Sequence, residues 1–95
     1  MTEKHQLSRD AGPSGWTELS KIRFEITGWE LFVGDPESPH MCRGWFRCED
    51  PDFTAKKNTE VRLYLVTRDG DQRILDATIV HVSSSEPLWD FRAVR

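Results

Sequence analysis

Residues 59–79, TEVRLYLVTRDGDQRILDATI, hold two alternating segments around a turn. On an extended chain Val61, Leu63 and Leu65 point one way and Glu60, Arg62 and Tyr64 the other. Arg68-Asp69-Gly70-Asp71 between them is the strongest hairpin signal in the chain, because Asp-Gly accepts the positive φ that a tight turn demands. Leu75, Ala77 and Ile79 resume the alternation. Val80 and Val82 then take the opposite phase, which predicts a bulge near Ile79 or burial on both faces.

The same period of two extends outward in both directions. Upstream, residues 42–48 form an expected strand with Cys42, Gly44, Phe46 and Cys48 on one face and Arg43, Trp45 and Arg47 on the other. Residues 16–33 read as strand, with Ile22, Phe24 and Ile26 alternating against Lys21, Arg23, Glu25 and Thr27. Gly28 interrupts that pattern as an expected bulge or bend, and Trp29, Leu31 and Val33 resume it. Downstream, residues 83–87 make a turn, and residues 88–94 a last strand with Trp89, Phe91 and Ala93 together. Residues 34–41 and 49–58 are loops rich in proline, glycine and acids, with Phe53 expected to anchor the second to the core. Six strands joined by polar turns, with no helix in evidence, predict an all-β fold: a small six-stranded antiparallel barrel over residues 16–95. Residues 1–15 carry one leucine, one alanine and no aromatic side chain, and are expected to form a disordered tail.

Composition sets the outer bounds. With 95 residues, 37% of them hydrophobic, the chain makes one small domain, and its ten aromatic residues let so short a chain bury a core without metal or disulfide. No apolar run approaches the roughly 18 residues of a spanning helix, and no leader pattern is present. The expected compartment is the cytoplasm, with no membrane partner. Thirteen basic against 16 acidic residues argue against nucleic-acid binding driven by the charge of the whole domain.

Arg43, Trp45 and Arg47 are the sharpest candidate for function. On a strand they leave one face about 6–7 Å apart. An indole between two guanidiniums suits stacking on a planar ligand, pairing with phosphate or carboxylate, or a protein interface. It equally suits a cation–π ladder over a barrel face, charge-paired across the sheet with Glu60 or Glu25. The neighbouring loop adds Asp35, Ser38 and His40 to the candidate binding residues.

Other chemistry finds less support. Six residues of strand hold Cys42 and Cys48 about 20 Å apart, too far for a disulfide, so both are expected as buried thiols. His40, Cys42 and Cys48 lack the paired short spacings of a zinc site. No nucleophile elbow, phosphate loop or metalloprotease helix motif is present. The chain is therefore expected to be non-catalytic and to need no cofactor.

Residues 42–83 resemble a PilZ domain. The likeness runs through Gly44-Trp45-Phe46, then Asn58 to Leu65 (NTEVRLYL), then Leu75 to Val82 (LDATIVHV). It implies a six-stranded barrel of a family that often binds cyclic di-GMP. That family places Arg-x-x-x-Arg before the first strand and Asp/Asn-x-Ser-x-x-Gly after the second. Here Arg9 is followed four residues on by Pro13, and Arg23 by Thr27. Asp35-Pro36-Glu37-Ser38 holds one residue too many, and Gly44 follows Ser38 by six. No nucleotide-binding residue carries over, so the resemblance implies a divergent member acting on a protein partner, with a degenerate cyclic-dinucleotide or nucleic-acid receptor as the alternative.

Overall fold

The computed structural model of the chain describes residues 8–33 and 41–94. They form one antiparallel sheet of eight strands: β1 (Ser8–Gly12), β2 (Ser14–Leu19), β3 (Ile22–Ile26), β4 (Gly28–Val33), β5 (Met41–Arg47), β6 (Glu60–Val66), β7 (Gln72–Val82) and β8 (Leu88–Val94). The spatial order is β1-β4-β5-β8-β7-β6-β2-β3. No helix among these residues is long and apolar enough to cross a membrane.

The sheet has eight strand segments where six strands were expected, for two local reasons. Residues 16–26 are not one strand: the chain reverses at Ser20-Lys21 and Leu19 pairs with Ile22. Both turn residues carry positive φ, 54° and 67°, the signature of a type I′ turn. Neither is Gly, Asn or Asp, so the sequence gives no turn signal there. Residues 8–12 and 14–15, taken from composition as tail, stand in β1 and β2. Strand β1 gains its order from backbone pairing with β4, from Ser8↔Val33 to Gly12↔Trp29, which composition does not report. Residues 1–7 lie outside the described residues.

Thr27 and Gly28 are no bulge. Pairing runs from Gly15↔Ile26 to Gly12↔Trp29 with two residues passed on each strand, so the register is unbroken. Pro13 interrupts the ladder on one side, where a missing N–H removes a donor. The expected irregularity near Ile79 is present: Ile79 pairs with Phe91 but His81 with Asp90, leaving Val80 as the extra residue. The Asp69-Gly70 hairpin is present as well. Thr67 and Asp71 bracket it through Thr67 N–H to Asp71 O at 2.8 Å, and Gly70 carries the positive φ of 93°.

Alternation puts Phe24, Ile26, Trp29, Leu31, Phe46, Leu63, Leu65, Ile79 and Phe91 on the inner face. Phe53 joins them from the loop before β6, meeting Trp89 edge-on at 4.8 Å and Phe46 at 5.8 Å. The Trp89 indole N–H donates to Ala55 O at 2.9 Å, which pins that loop against β8.

The Ser20-Lys21 turn yields a stability prediction. Left-handed backbone costs an ordinary residue roughly 1–2 kcal/mol, and Asn-Gly relieves most of it. The double variant Ser20→Asn/Lys21→Gly is expected to gain about 1–2 kcal/mol. It should show in urea unfolding as a higher midpoint with an unchanged slope. An unchanged midpoint would mean that the two residues are not held in left-handed geometry.

Candidate functional site

Strand β5 lies between β4 and β8, and its pairing fixes what surrounds each outward side chain. Arg43 stands between Phe32 and Arg92, Trp45 between Glu30 and Asp90, and Arg47 between Gly28 and Leu88. Cys42, Phe46 and Cys48 are buried while Arg43 is exposed and Trp45 and Arg47 are half-buried. The three candidate residues therefore share an outer face, as alternation requires.

They do not form a cation–π ladder. Among the described residues no guanidinium stands over the Trp45 ring. Arg47 reaches Glu86 at 3.5 Å and Glu49 at 3.9 Å, long surface pairs of little energetic weight. Glu25 is held by Arg23 at 3.1 Å and Glu60 lies on β6, so neither is the cross-sheet partner the sequence suggested. The acid that engages Trp45 is Glu30, whose carboxylate accepts the indole N–H at 3.1 Å.

The four tryptophans differ in what covers them. Trp29 is 1% exposed and Trp89 packs on Phe46 and Phe53 inside the core. Trp16 lies outside, but Tyr64 stacks on it at 4.9 Å and 8°, and Arg23 sits 4.4 Å from its ring centre. That ring is already engaged from the β3 and the β6 neighbours of its strand, so the Arg23–Trp16–Tyr64 row reads as a surface brace. Trp45 alone among these four is half-exposed with no ring or cation stacked on it in the described residues.

Trp45 also borders a cleft of about 440 Å³ with Gly12, Pro13, Gly28, Glu30 and Arg68. The cleft opens where the β1–β2 and β3–β4 breaks face each other. A Cβ at Gly28 would meet nothing within 4 Å. A second cleft, of about 570 Å³, lies between residues 53–57 and 80–82, over Trp89.

Sequence reasoning placed Arg43, Trp45 and Arg47 together, and the structure does bring them to one face. It missed Glu30, Arg68 and Arg92, which reach the site only through register between distant strands. Asp35, Ser38 and His40 lie outside the described residues. Cys42 and Cys48 are both buried, as expected, and burial pushes the Cys48 thiol pKa up, keeping it neutral. On the same outer face, further along the sheet on β6 and β7, Arg62 bonds Asp76 at 2.8 Å and holds its carboxyl below the usual range. Among the described residues no three His, Cys, Asp or Glu side chains converge as a metal site. No protein-family model matches the chain, and neither a curated protein nor a solved structure matches it.

Proposed function

We propose that the chain is a non-catalytic binding module that contacts a protein partner through the outer face of β5, with Trp45 as its anchor. The observation that carries this is the uncovered Trp45 ring, oriented by Glu30 and set beside an open cleft. Tryptophan and arginine are the side chains that most often dominate interface energy, and a fixed rotamer loses little entropy on binding.

A finer architecture accompanies this proposal. With β1 and β2 counted as one bent strand, and β3 and β4 as another, the eight segments become six. The unbroken register across both interruptions supports that count, as does the β2–β6 pairing at the far side of the bent strand. A six-stranded, PilZ-like barrel of divergent type is the form proposed, acting in the cytoplasm.

The test compares the full chain with the double variant Arg43→Ala/Trp45→Ala in affinity capture from native cells. The expected result is a partner retained by the first and lost by the second, with the melting midpoint of the variant within a few degrees of the parent. Unfolding of the variant would instead make the stripe structural. Titration of the labelled chain with cyclic di-GMP supplies the opposing outcome: saturable amide shifts centred on Arg43 and Arg47, weakening steeply with salt, would favour a second-messenger receptor.

A further inference from the structure

We infer that the segment this face accepts is an extended acidic peptide, one carboxylate lying across Arg43 and Arg92 and the side chain two residues on lying against Trp45. The inference rests on the proposed binding role of the β5 face and adds the chemistry of the partner.

Arg43 and Arg92 are directly opposite in the β5–β8 ladder. Like charges in that position repel and destabilise a sheet. Both side chains are exposed, and neither has a carboxylate partner among the described residues. Arg23, Arg47, Arg62 and Arg73 each hold one; Arg68, in the exposed turn before β7, holds none among the described residues, but it has no like charge opposite it in a ladder. The chain is not short of acids, with 16 against 13 basic residues. The two acids flanking Trp45 are already engaged: Glu30 by the Trp45 indole, and Asp90 by His81 at 3.2 Å. A repulsive pair with no direct carboxylate partner among the described residues, set beside an uncovered indole, is complementary to an anion brought from outside.

Two guanidiniums side by side match the two oxygens of a carboxylate, each giving a fork of donors. Spacing supplies the second half. Side chains at i and i+2 of an extended chain lie about 6–7 Å apart, the same interval that separates Arg43 from Trp45 on β5. A peptide lying along β5 therefore sets its acid on the arginines and its next same-side residue, apolar or aromatic, on the indole. A polyphosphate backbone fits less well. Glu30, Asp90, Glu49 and Glu86 lie beside or between the cations, and they would repel every phosphate after the first.

The test uses the full isotope-labelled chain and two synthetic probes, acetyl-Thr-Glu-Thr-Phe-Thr-amide and the same peptide with glutamine for glutamate. The acidic peptide is expected to bind at least tenfold tighter and to shift the Arg43 and Arg92 Nε and the Trp45 Nε1 resonances. Arg92→Gln is expected to erase the tenfold difference while the melting midpoint stays or rises, because a repulsion is removed. Trp45→Ala is expected to weaken both peptides. Equal binding of the two peptides overturns the acidic partner but leaves the Trp45 anchor standing. Binding of neither at millimolar concentration overturns both. Tighter binding of oligothymidylate than of the acidic peptide overturns it in favour of nucleic acid. Movement of the Arg43 and Arg92 resonances in an unliganded Asp35→Asn/Glu37→Gln variant overturns it in favour of pairing within the chain.

Discussion

Gly44→Ala is expected to cost the domain about 3 kcal/mol or more, a large share of the 5–15 kcal/mol that holds a typical domain folded. A Cβ at this position falls on the carbonyl oxygen of Glu30, with the Glu30 carbonyl carbon at 3.1 Å and Phe91 Cζ at 3.0 Å. Neither neighbour has room to yield. The Glu30 carbonyl belongs to the backbone of β4, which pairs with β5 through Leu31↔Gly44 and Glu30↔Trp45. Phe91 is wholly buried and packs 6.1 Å from Phe46. Relief requires β4 to leave β5, which gives up ladder hydrogen bonds, or Phe91 to leave its rotamer in a close-packed core. Gly28→Ala is the matched control. Its Cβ meets nothing, so the only effect is a smaller entropy of the unfolded chain, worth roughly 0.4–1 kcal/mol in favour of the fold. Urea unfolding of the two variants reads both signs. A Gly44→Ala domain within ~1 kcal/mol of the parent would mean that β4 and β5 do not approach as closely as described.

Gly44 also marks where sequence stops being informative. Its place in an alternating strand is plain from Cys42, Phe46 and Cys48. What it must avoid, the Glu30 carbonyl, is set by pairing with a strand 14 residues away. The pattern of the fold follows the same division. Alternation located the inner face of every strand from Trp29 to Ala93, because a half-buried strand leaves a period of two in the residues themselves. The Asp69-Gly70 turn was legible because glycine is the residue that positive φ favours. The Ser20-Lys21 turn was not, because those residues adopt the same backbone against their preference. Nor was β1, whose order comes from main-chain bonds that no side chain announces. At the candidate site, Arg43, Trp45 and Arg47 were found by local spacing. Arg92 and Glu30 were invisible, since cross-strand neighbours depend on register and register is a property of the whole sheet.

Trp29 carries the second large effect. Its side chain is 1% exposed, and its indole N–H donates to two carbonyls, Ser14 O at 2.9 Å and Val66 O at 3.1 Å. Ser14 opens β2 and pairs with Val66, the last residue of β6. Trp29 itself opposes Gly12, the last residue of β1. One indole from β4 thus closes the place where Pro13 interrupts the ladder and where no backbone donor is available. Gly12 allows this, because a side chain there would strike both the Val66 carbonyl and the indole nitrogen. Trp29→Ala is expected to lose about 3–5 kcal/mol from cavity and transfer terms, enough to unfold much of the population. Trp29→Phe separates the two contributions. It retains most of the apolar contact but leaves the carbonyls without their shared donor, at an expected cost of about 1–3 kcal/mol. Hydrogen exchange locates that cost. Amides of β1 and of the 66–72 hairpin should lose protection first, while β5 and β8 keep theirs. Trp29→Phe should also weaken whatever binds beside Trp45, because Trp29 lines the same cleft. A Trp29→Phe domain as stable as the parent, with β1 still protected, would show that packing alone closes this junction and that the two indole hydrogen bonds contribute nothing measurable.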